Sequence, residues 1–212
     1  MENLKEYENA FFNSLLQGNR VGCHNIIVEF RKINLSIMVL YEEIFKKSLY
    51  RIGQMWEYNK ISVVVEHMAT SIIEALMNEL LPEIMNMERN NKQVVIASVE
   101  NEEHQVGGKM VADIFEENSW DAYYLGAKTP TVELVRFCDE VKPDLICLSL
   151  SVYLNIRFLE KEITAIRAVT NVPIIIGGQA LTKLGVQISE KFTDVCYLAG
   201  LEDVNSYIKG CV

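Results

Sequence analysis

The feature that most constrains this fold is a change in the spacing of apolar residues near residue 92. Before that point apolar residues recur every three or four positions, which places them on one face of a helix. The clearest set comprises Ile61, Val64, Val65, Met68, Ile72, Leu76 and Leu80. After that point short runs rich in β-branched residues alternate with amphipathic stretches. The chain is therefore predicted to contain two parts of different architecture.

Residues 1–90 are predicted to form a bundle of about four helices. This part contains a single proline, Pro82, and few turn signals. Breaks between helices are expected near Gly18-Asn19, near Asn34-Leu35-Ser36 and near Tyr58-Asn59-Lys60. The polar stretch at residues 88–92 is the predicted linker to the second part.

Residues 91–212 are predicted to form an α/β domain with a five-stranded parallel sheet of the Rossmann or flavodoxin-like kind. The predicted strands are 94–99, 122–125, 145–150, 172–176 and 195–198. The predicted helices lie near 107–118, 130–141, 156–169, 181–190 and 201–209. Ligands of such sheets bind outside the carboxyl ends of the strands, so the residues that follow each strand are the candidates for a site.

Composition and short motifs exclude several classes of function. With 29 acidic and 20 basic residues the formal charge is −9, so direct binding of nucleic acid is not expected. The five cysteines are scattered and never form CxxC, which favours reduced thiols and a cytoplasmic location. No signal peptide or apolar stretch of membrane-spanning length is visible, so no membrane role is expected. Phosphate-binding glycine motifs, a GxSxG elbow and an HExxH motif are also missing, so the chain is not predicted to be an enzyme.

The loop after the first predicted strand carries Glu102, His104 and Gly107. A neutral imidazole is a good ligand for a borderline metal, and a carboxylate on its other nitrogen fixes the tautomer. His104 is therefore a candidate ligand for a metal that arrives with its own macrocycle. The alternative is that a lone histidine in an acidic loop is a solvated surface residue.

Small residues follow the third and fourth predicted strands. These are Ser149 and Ser151 after the third strand and Gly177 and Gly178 after the fourth. Glycines at such positions let a bulky ligand approach the backbone, although two glycines after a strand are also ordinary turn chemistry.

Taken together, Glu102-x-His104-x-x-Gly107, Ser149-x-Ser151 and Gly177-Gly178 resemble the cobalamin-binding (vitamin B12) domain of methionine synthase, corrinoid carriers and B12-dependent regulators. The resemblance implies that His104 is the lower axial ligand of cobalt, with the dimethylbenzimidazole tail displaced into a slot beside the sheet. Gly107, Ser149, Ser151, Gly177 and Gly178 would line the site. The family usually has aspartate where this chain has Glu102, which is one methylene longer.

The first part resembles the helical cap of photosensory B12 regulators, whose pattern is G-x-x-W followed by I-S-x-x-x-E-H-x-A-T. The matching residues are Gly53, Trp56, Ile61, Ser62, Glu66, His67, Ala69 and Thr70. By this resemblance Trp56, Val63, Glu66 and His67 would face an upper adenosyl ligand, with the corrinoid held between cap and sheet. Without it, Trp56 reads as a core anchor and Glu66-His67 as partly a pair on a helix surface. Glu57 stands where the well-understood light sensors carry a second cobalt-ligating histidine.

Three functions follow as hypotheses. The first is a cobalamin sensor, with adenosylcobalamin favoured over methylcobalamin and light as one candidate input. Because the cap begins almost at once, its output is expected to need self-association or a protein partner. The second is a corrinoid carrier for methyl transfer, although carriers typically continue His-Asp-Ile-Gly-Lys-Asn where this chain has a different sequence after His104. The third is a B12-type scaffold that binds another tetrapyrrole or only a protein.

Overall fold

The computed structural model describes residues 2–33, 35–85 and 87–211. The chain divides into two compact units, Met1–Glu83 and Ile84–Val212, and each is described by itself. No helix among the described residues has the length and apolar character needed to cross a bilayer.

The first unit is helical, as predicted. Its helices are α1 (Glu2–Leu16), α2 (Arg20–Lys32), α3 (Ile37–Val39), a π-helix (Leu40–Lys46), α4 (Lys47–Glu57) and α5 (Val63–Ile84). Because α3, the π-helix and α4 follow one another without a break, they act as a single long helix, and the prediction of about four helices is confirmed. The predicted breaks near Gly18 and Tyr58 are also confirmed. The break near Asn34 falls on a residue outside the described ranges, and Ser36 caps α3 just after it.

The core of the first unit combines stacked aromatic rings with one face of α5. The ring of Phe45 stacks on those of Phe11 and Tyr41, with centroids 5.3 and 5.7 Å away. On α5, Ile72, Leu76 and Leu80 are buried as predicted. Val64 was predicted to lie on this face, but it is 70% exposed. It lies in the first turn of α5, before the buried stripe begins at Ala69.

The second unit is a parallel five-stranded sheet with the order β2-β1-β3-β4-β5, so the flavodoxin-like prediction is confirmed. Its strands are β1 (Gln93–Ser98), β2 (Asp121–Gly126), β3 (Leu145–Ser149), β4 (Ile174–Gly177) and β5 (Val195–Tyr197). Its helices are α6 (Val106–Glu117), α7 (Thr131–Val141), α8 (Ile156–Arg167), α9 (Gly185–Ser189) and α10 (Leu201–Gly210). The apolar runs of β1, β3 and β4 are almost fully buried, as expected for a sheet covered on both faces.

One predicted helix of the second unit is wrong in extent. The helix expected near 181–190 is a 3₁₀ turn (Gln179–Leu181) followed by the short α9. Gly185 begins α9 and packs so closely on Tyr197 that an added Cβ would lie 2.2 Å from the ring. The start of α9 thus lies against β5 with no room for a side chain at residue 185.

The predicted linker at residues 88–92 is bonded to the second unit. Arg89 donates hydrogen bonds to Glu116 Oε2 at 2.6 Å and to the Trp120 carbonyl at 2.9 Å. Lys92 pairs with Asp144 at 2.9 Å. This stretch is irregular in conformation, but its side chains hold it to the sheet and α6.

Candidate functional site

Three neighbouring strands bring the sequence-predicted residues of the second unit to one edge of the sheet. In the strand register Ser98 of β1 lies beside Ser149 of β3, and Ser149 lies beside Gly177 of β4. These three residues form a row at the carboxyl ends of the strands. The loop of residues 100–105 that leaves β1, called here the histidine loop, starts from this row and carries Glu102 and His104.

Glu102 and His104 are in direct contact within the histidine loop. The His104 ring nitrogen Nδ1 lies 2.5 Å from Glu102 Oε1, and the His104 backbone N–H donates to the same oxygen at 3.0 Å. Glu102 is fully buried, whereas the His104 side chain is 51% exposed. The longer glutamate chain therefore reaches the imidazole, and the ring stays accessible from outside the sheet.

The other oxygen of Glu102 joins the histidine loop to the loop after β3. Oε2 accepts the backbone N–H of Ser151 at 3.0 Å and that of Val152 at 2.9 Å. Ser151, which was predicted to line the site, thus contacts it through its main chain. The Glu102 carboxylate thus accepts four hydrogen bonds.

These hydrogen bonds decide the charge of Glu102. Burial alone would raise the pKa of the carboxyl group, but the bonds from the His104 ring and from the backbone of His104, Val152 and Ser151 lower it to about 2. An ionised carboxylate only accepts hydrogen bonds, so Nδ1 of His104 carries the proton. The ring nitrogen that would bind a metal is therefore Nε2.

Two further side chains that the sequence analysis missed hold the backbone of the loop. Ser98 is fully buried and donates from Oγ to the His104 carbonyl at 2.9 Å. Tyr124 of β2 donates to the Gln105 carbonyl at 2.7 Å. Ser98 had a visible signal, since it is a polar residue at the end of an apolar strand. Tyr124 had none, because a tyrosine is ordinary in a strand.

The glycines of the site differ in what they do. At Gly107, in the first turn of α6, an added Cβ would lie in ordinary van der Waals contact with Ser149 Oγ, at 3.9 Å, so a small side chain would fit there. At Gly177 it would lie 3.2 Å from the Leu198 carbonyl. At Gly178, where φ is +113°, it would lie 2.3 Å from the Leu150 carbonyl. Gly178 is therefore required by the backbone itself, whereas Gly107 is not, and its effect is to leave Ser149 Oγ uncovered by a side chain at that position.

The four residues predicted to face an upper ligand lie where α4 ends and α5 begins. Trp56 is 45% exposed and Val63 42% exposed, so interpreting Trp56 as a core anchor is wrong. Glu66 accepts a hydrogen bond from Thr70 Oγ1 at 2.9 Å, and its other oxygen lies 3.6 Å from His67 Nε2. The His67 side chain is 70% exposed. The first unit thus presents an exposed aromatic ring, an aliphatic side chain and a carboxylate–imidazole pair.

Within the described ranges, no group of three or more His, Cys, Asp or Glu side chains is arranged to hold a metal ion. The donor set at the sheet edge is a single imidazole supported by a carboxylate. That set fits a metal whose other positions are filled by its own macrocycle.

Comparison with known proteins agrees with this geometry. The model of the B12 binding domain matches residues 92–202, which is more than half of the chain. The chain belongs to the B12 binding domain family. A second B12 binding domain model matches residues 7–81. Both units therefore match models of B12 binding domains, and the predicted membership of the cobalamin-binding domain family is confirmed.

Two curated relatives are similar in sequence. The HTH-type transcriptional repressor CarA of Myxococcus xanthus is 26% identical over 143 residues, which cover 62% of this chain and 48% of that protein. The repressor CarH of the same organism is 24% identical over 143 residues, covering 66% and 47%. The chain thus spans about half the length of these relatives.

Solved structures share the fold. The monomethylamine corrinoid protein of Methanosarcina barkeri matches with a TM-score of 0.83 and 14% identity, over 98% of this chain and 99% of that one. A cobalamin-binding protein of Desulfitobacterium hafniense matches with a TM-score of 0.52 and 18% identity, over 96% and 98%. The methanol:cobalamin methyltransferase complex MtaBC of M. barkeri gives 0.51 and 12%, over 97% and 79%.

Proposed function

We propose that this protein is a cobalamin-binding sensor that holds the corrinoid with His104 as the lower axial ligand and the tail base displaced. The observation that carries the proposal is the contact between buried Glu102 and exposed His104 at the carboxyl ends of the strands. The charged carboxylate holds Nδ1–H, which directs Nε2 outward and increases its basicity. The functional division that we propose is a helical cap at 1–90 and a cobalamin-binding domain at 91–212.

The displaced tail would lie along the row at the strand ends. Gly107 leaves the Ser149 hydroxyl uncovered by a side chain, and Gly177 continues the row on β4. We propose that the Ser149 hydroxyl donates a hydrogen bond to the displaced base. The tight fit of Gly178 against Leu150 supports the shape of this edge rather than contact with the ligand.

The exposed residues of the first unit support adenosylcobalamin as the natural form. A bound corrinoid supplies a weak cobalt–carbon bond on its upper face, and an aromatic wall there excludes water and confines the departing group. Trp56 and Val63 offer apolar surface that the first unit itself does not bury. Glu66 and His67 add groups that can bond the hydroxyls of an adenosyl group.

A sensory role is favoured over an enzymatic one. The pattern around Trp56 and Glu66 resembles the helical cap of B12 sensor proteins, and the sequence relatives CarA and CarH are transcriptional repressors. Since this chain spans about half their length, we do not propose that it represses transcription itself. We propose instead that a change of the upper ligand alters self-association or the binding of a protein partner. The net charge of −9 argues against direct contact with nucleic acid.

The second candidate function is a corrinoid carrier in methyl transfer. The likeness in fold to the monomethylamine corrinoid protein, which extends over 98% of this chain, favours it. In that role the cobalt performs the chemistry and the protein supplies binding and orientation. The sequence after His104 departs from the carrier pattern, which favours the sensor.

The role of His104 is tested by loading the purified protein with adenosylcobalamin in the dark and recording visible spectra. Wild-type protein and a His24→Ala control are expected to show histidine ligation, because His24 pairs with Glu79 on the surface of the first unit. His104→Ala is expected to keep its fold by circular dichroism but to show the spectrum without histidine ligation. An unchanged spectrum in His104→Ala contradicts the proposal.

Sensor and carrier are separated by green light and by a methyltransferase. A sensor is expected to change its spectrum and its elution volume on a sizing column after illumination or upper-ligand loss. A carrier is expected to be inert to light and, once reduced to Co(I), to accept and donate a methyl group. Failure to retain any corrinoid favours a scaffold for another tetrapyrrole and overturns both.

A further inference from the structure

Glu162 of α8 is a fully buried acidic residue with no part in the site described above. It lies three residues after Leu159 and four before Ile166, on the apolar face that packs against the sheet. Glutamate is almost never buried this completely unless it is paired. Its burial therefore needs a reason other than packing.

One oxygen of Glu162 holds the first residue of the histidine loop. Oε1 accepts the backbone N–H of Glu100 at 2.6 Å. The Thr131 hydroxyl lies 3.5 Å from the same oxygen but 2.5 Å from Glu100 Oε2, so its single proton goes to Glu100. The other oxygen, Oε2, is buried and has no hydrogen-bond partner among the described residues. Glu162 is thus held to the loop essentially by one backbone bond.

The charged groups that face Glu162 do not neutralise it. The Glu100 carboxylate is nearby, and Lys161 donates to that carboxylate at 3.1 Å rather than to Glu162. Burial raises the pKa of Glu162 to about 7, because it outweighs the backbone N–H of Glu100, which favours the charged form, and the negative charge of Glu100 adds to the increase. The Glu162 carboxyl group therefore loses its proton near neutral pH.

The bond from Glu162 is close to the cofactor residues along the chain. Glu100 precedes Glu102 by two residues, and between them the Asn101 carbonyl accepts a hydrogen bond from Asn155, just before α8, at 3.2 Å. The region of α8 thus holds the two residues that lead into Glu102. Glu100 and Asn101 therefore connect α8 to the residue that supports His104.

We propose that Glu162 is a positioning residue for the histidine loop: its protonated carboxyl group keeps Glu100 in place, and loss of the proton loosens the loop that presents His104. The inference rests on the proposed role of His104 as the cobalt ligand. It assigns a pH-sensitive control of that ligand to a residue outside the cofactor site.

The direction of the effect follows from the surroundings of the two oxygens. When the loop leaves α8, water reaches Glu162, and the group becomes an ordinary acid that ionises readily. When the loop is closed, the charged form has too few donors to replace that water. Raising the pH therefore favours the open loop, and the change is greatest between the pKa values of the open and closed states.

The test is hydrogen exchange of the histidine-loop amides in the cobalamin-free protein, expressed as protection relative to the intrinsic rate at each pH. Wild-type protein is expected to lose protection about tenfold between pH 6 and pH 8. Glu162→Gln, which keeps an acceptor oxygen but cannot ionise, is expected to change less than about twofold. Glu160→Gln on the same helix, which removes an exposed partner of Lys191, is the matched control and is expected to behave as wild type.

A wild-type loop whose protection does not change with pH, or a Glu162→Gln loop that loses protection as wild type does, overturns the inference. Glu162→Ala adds a second readout, since it removes the acceptor and is expected to lower protection about tenfold at pH 6. Unaltered protection in this folded variant would also overturn it.

The same proteins loaded with adenosylcobalamin separate this inference from the proposed function. The fraction with histidine ligation is expected to fall from pH 6 to pH 8 in wild type but to stay constant in Glu162→Gln. If no histidine ligation appears at either pH while loop exchange behaves as expected, the cofactor role of His104 fails and the positioning role of Glu162 stands. If histidine ligation appears but loop exchange does not change with pH, the cofactor role of His104 stands and the positioning role of Glu162 fails.

Discussion

Two fully buried glutamates, Glu102 within the histidine loop and Glu162 on α8, have pKa values that are shifted in opposite directions. The Glu102 carboxylate accepts four hydrogen bonds, from its own loop and from the loop after β3, and its pKa falls to about 2. Glu162, on α8, accepts one short backbone bond, and burial raises its pKa to about 7. Residue type and exposure are the same in both cases. The number of donors, and not burial, decides whether a buried carboxyl group keeps its charge.

The comparison is tested most severely by removing Glu102. Glu102→Ala leaves the N–H groups of His104, Ser151 and Val152 without their acceptor, so we expect a loss of about 3–5 kcal/mol in the free energy of unfolding. Urea denaturation of the cobalamin-free protein measures it. Glu103→Ala, on the same loop but exposed, is the control and is expected to stay within about 0.5 kcal/mol of wild type. A loss below about 1 kcal/mol for Glu102→Ala would show that the four bonds do not stabilise the fold.

The next largest effect is the pH dependence that Glu162 confers. Its pKa is raised in the folded state, so the folded protein binds the proton more tightly than the unfolded chain does. Stability relative to Glu162→Gln is therefore expected to fall by about 3 kcal/mol as the pH rises from about 4.5 to 7, and to level off above that. Urea denaturation of both proteins at pH 5, 6, 7 and 8 measures the difference. If the free energies of unfolding of wild type and Glu162→Gln change with pH in the same way, Glu162 does not have a raised pKa, and it does not differ from Glu102 in the proposed manner.

A smaller effect on stability is expected at Ser98, whose hydroxyl bonds to the His104 carbonyl in the histidine loop. Ser98→Ala leaves the His104 carbonyl without its buried donor and is expected to cost about 1 kcal/mol. Ser149→Ala, on the neighbouring strand, is the comparison, since its hydroxyl lies beside Gly107, where we propose that the tail base binds. We expect Ser149→Ala to weaken corrinoid binding more than it weakens folding, and Ser98→Ala to do the opposite. Denaturation and cobalamin titration of both variants decide this.

The smallest effect is expected at Lys161. Its ion pair with Glu100 is exposed, so Lys161→Ala is expected to change stability by no more than about 0.5 kcal/mol. Because the positive charge of Lys161 lowers the pKa of Glu162, its removal is expected to move the pH-dependent step of loop exchange to higher pH. A step that moves to lower pH would contradict the arrangement of charges around Glu162.

Much of the second unit was predictable because its signals are local. The apolar runs of β1, β3 and β4 are long enough to identify buried strands, and their alternation with helices determines a parallel sheet. That sheet brings the ends of β1, β3 and β4 together, so His104, Ser149 and Gly177 were expected near one another from the sequence. The family resemblance added the pairing of Glu102 with His104, and the structure places the two in contact.

Other features depended on contacts that a single sequence does not show. Tryptophan is a residue type common in protein cores, so the sequence favoured burial of Trp56. Only the packing of α4 shows that much of its side chain is exposed to solvent. Val64 continues the helical spacing of apolar residues, but it is exposed. The spacing alone does not show where the neighbouring helices that would cover it end. Glu162 carried a weak signal, since an acid stands at an apolar spacing in α8. Its bond to Glu100, distant in sequence, depends on tertiary structure.

The double engagement of Glu102 has a consequence for engineering. The side chain that orients His104 also fastens the main chain at Ser151 and Val152, so the imidazole is aimed by two segments about 50 positions apart. A designer who grafts the histidine-bearing peptide alone onto another parallel sheet would transplant the ring without its anchorage. Both segments would have to travel together for the ring to keep its aim.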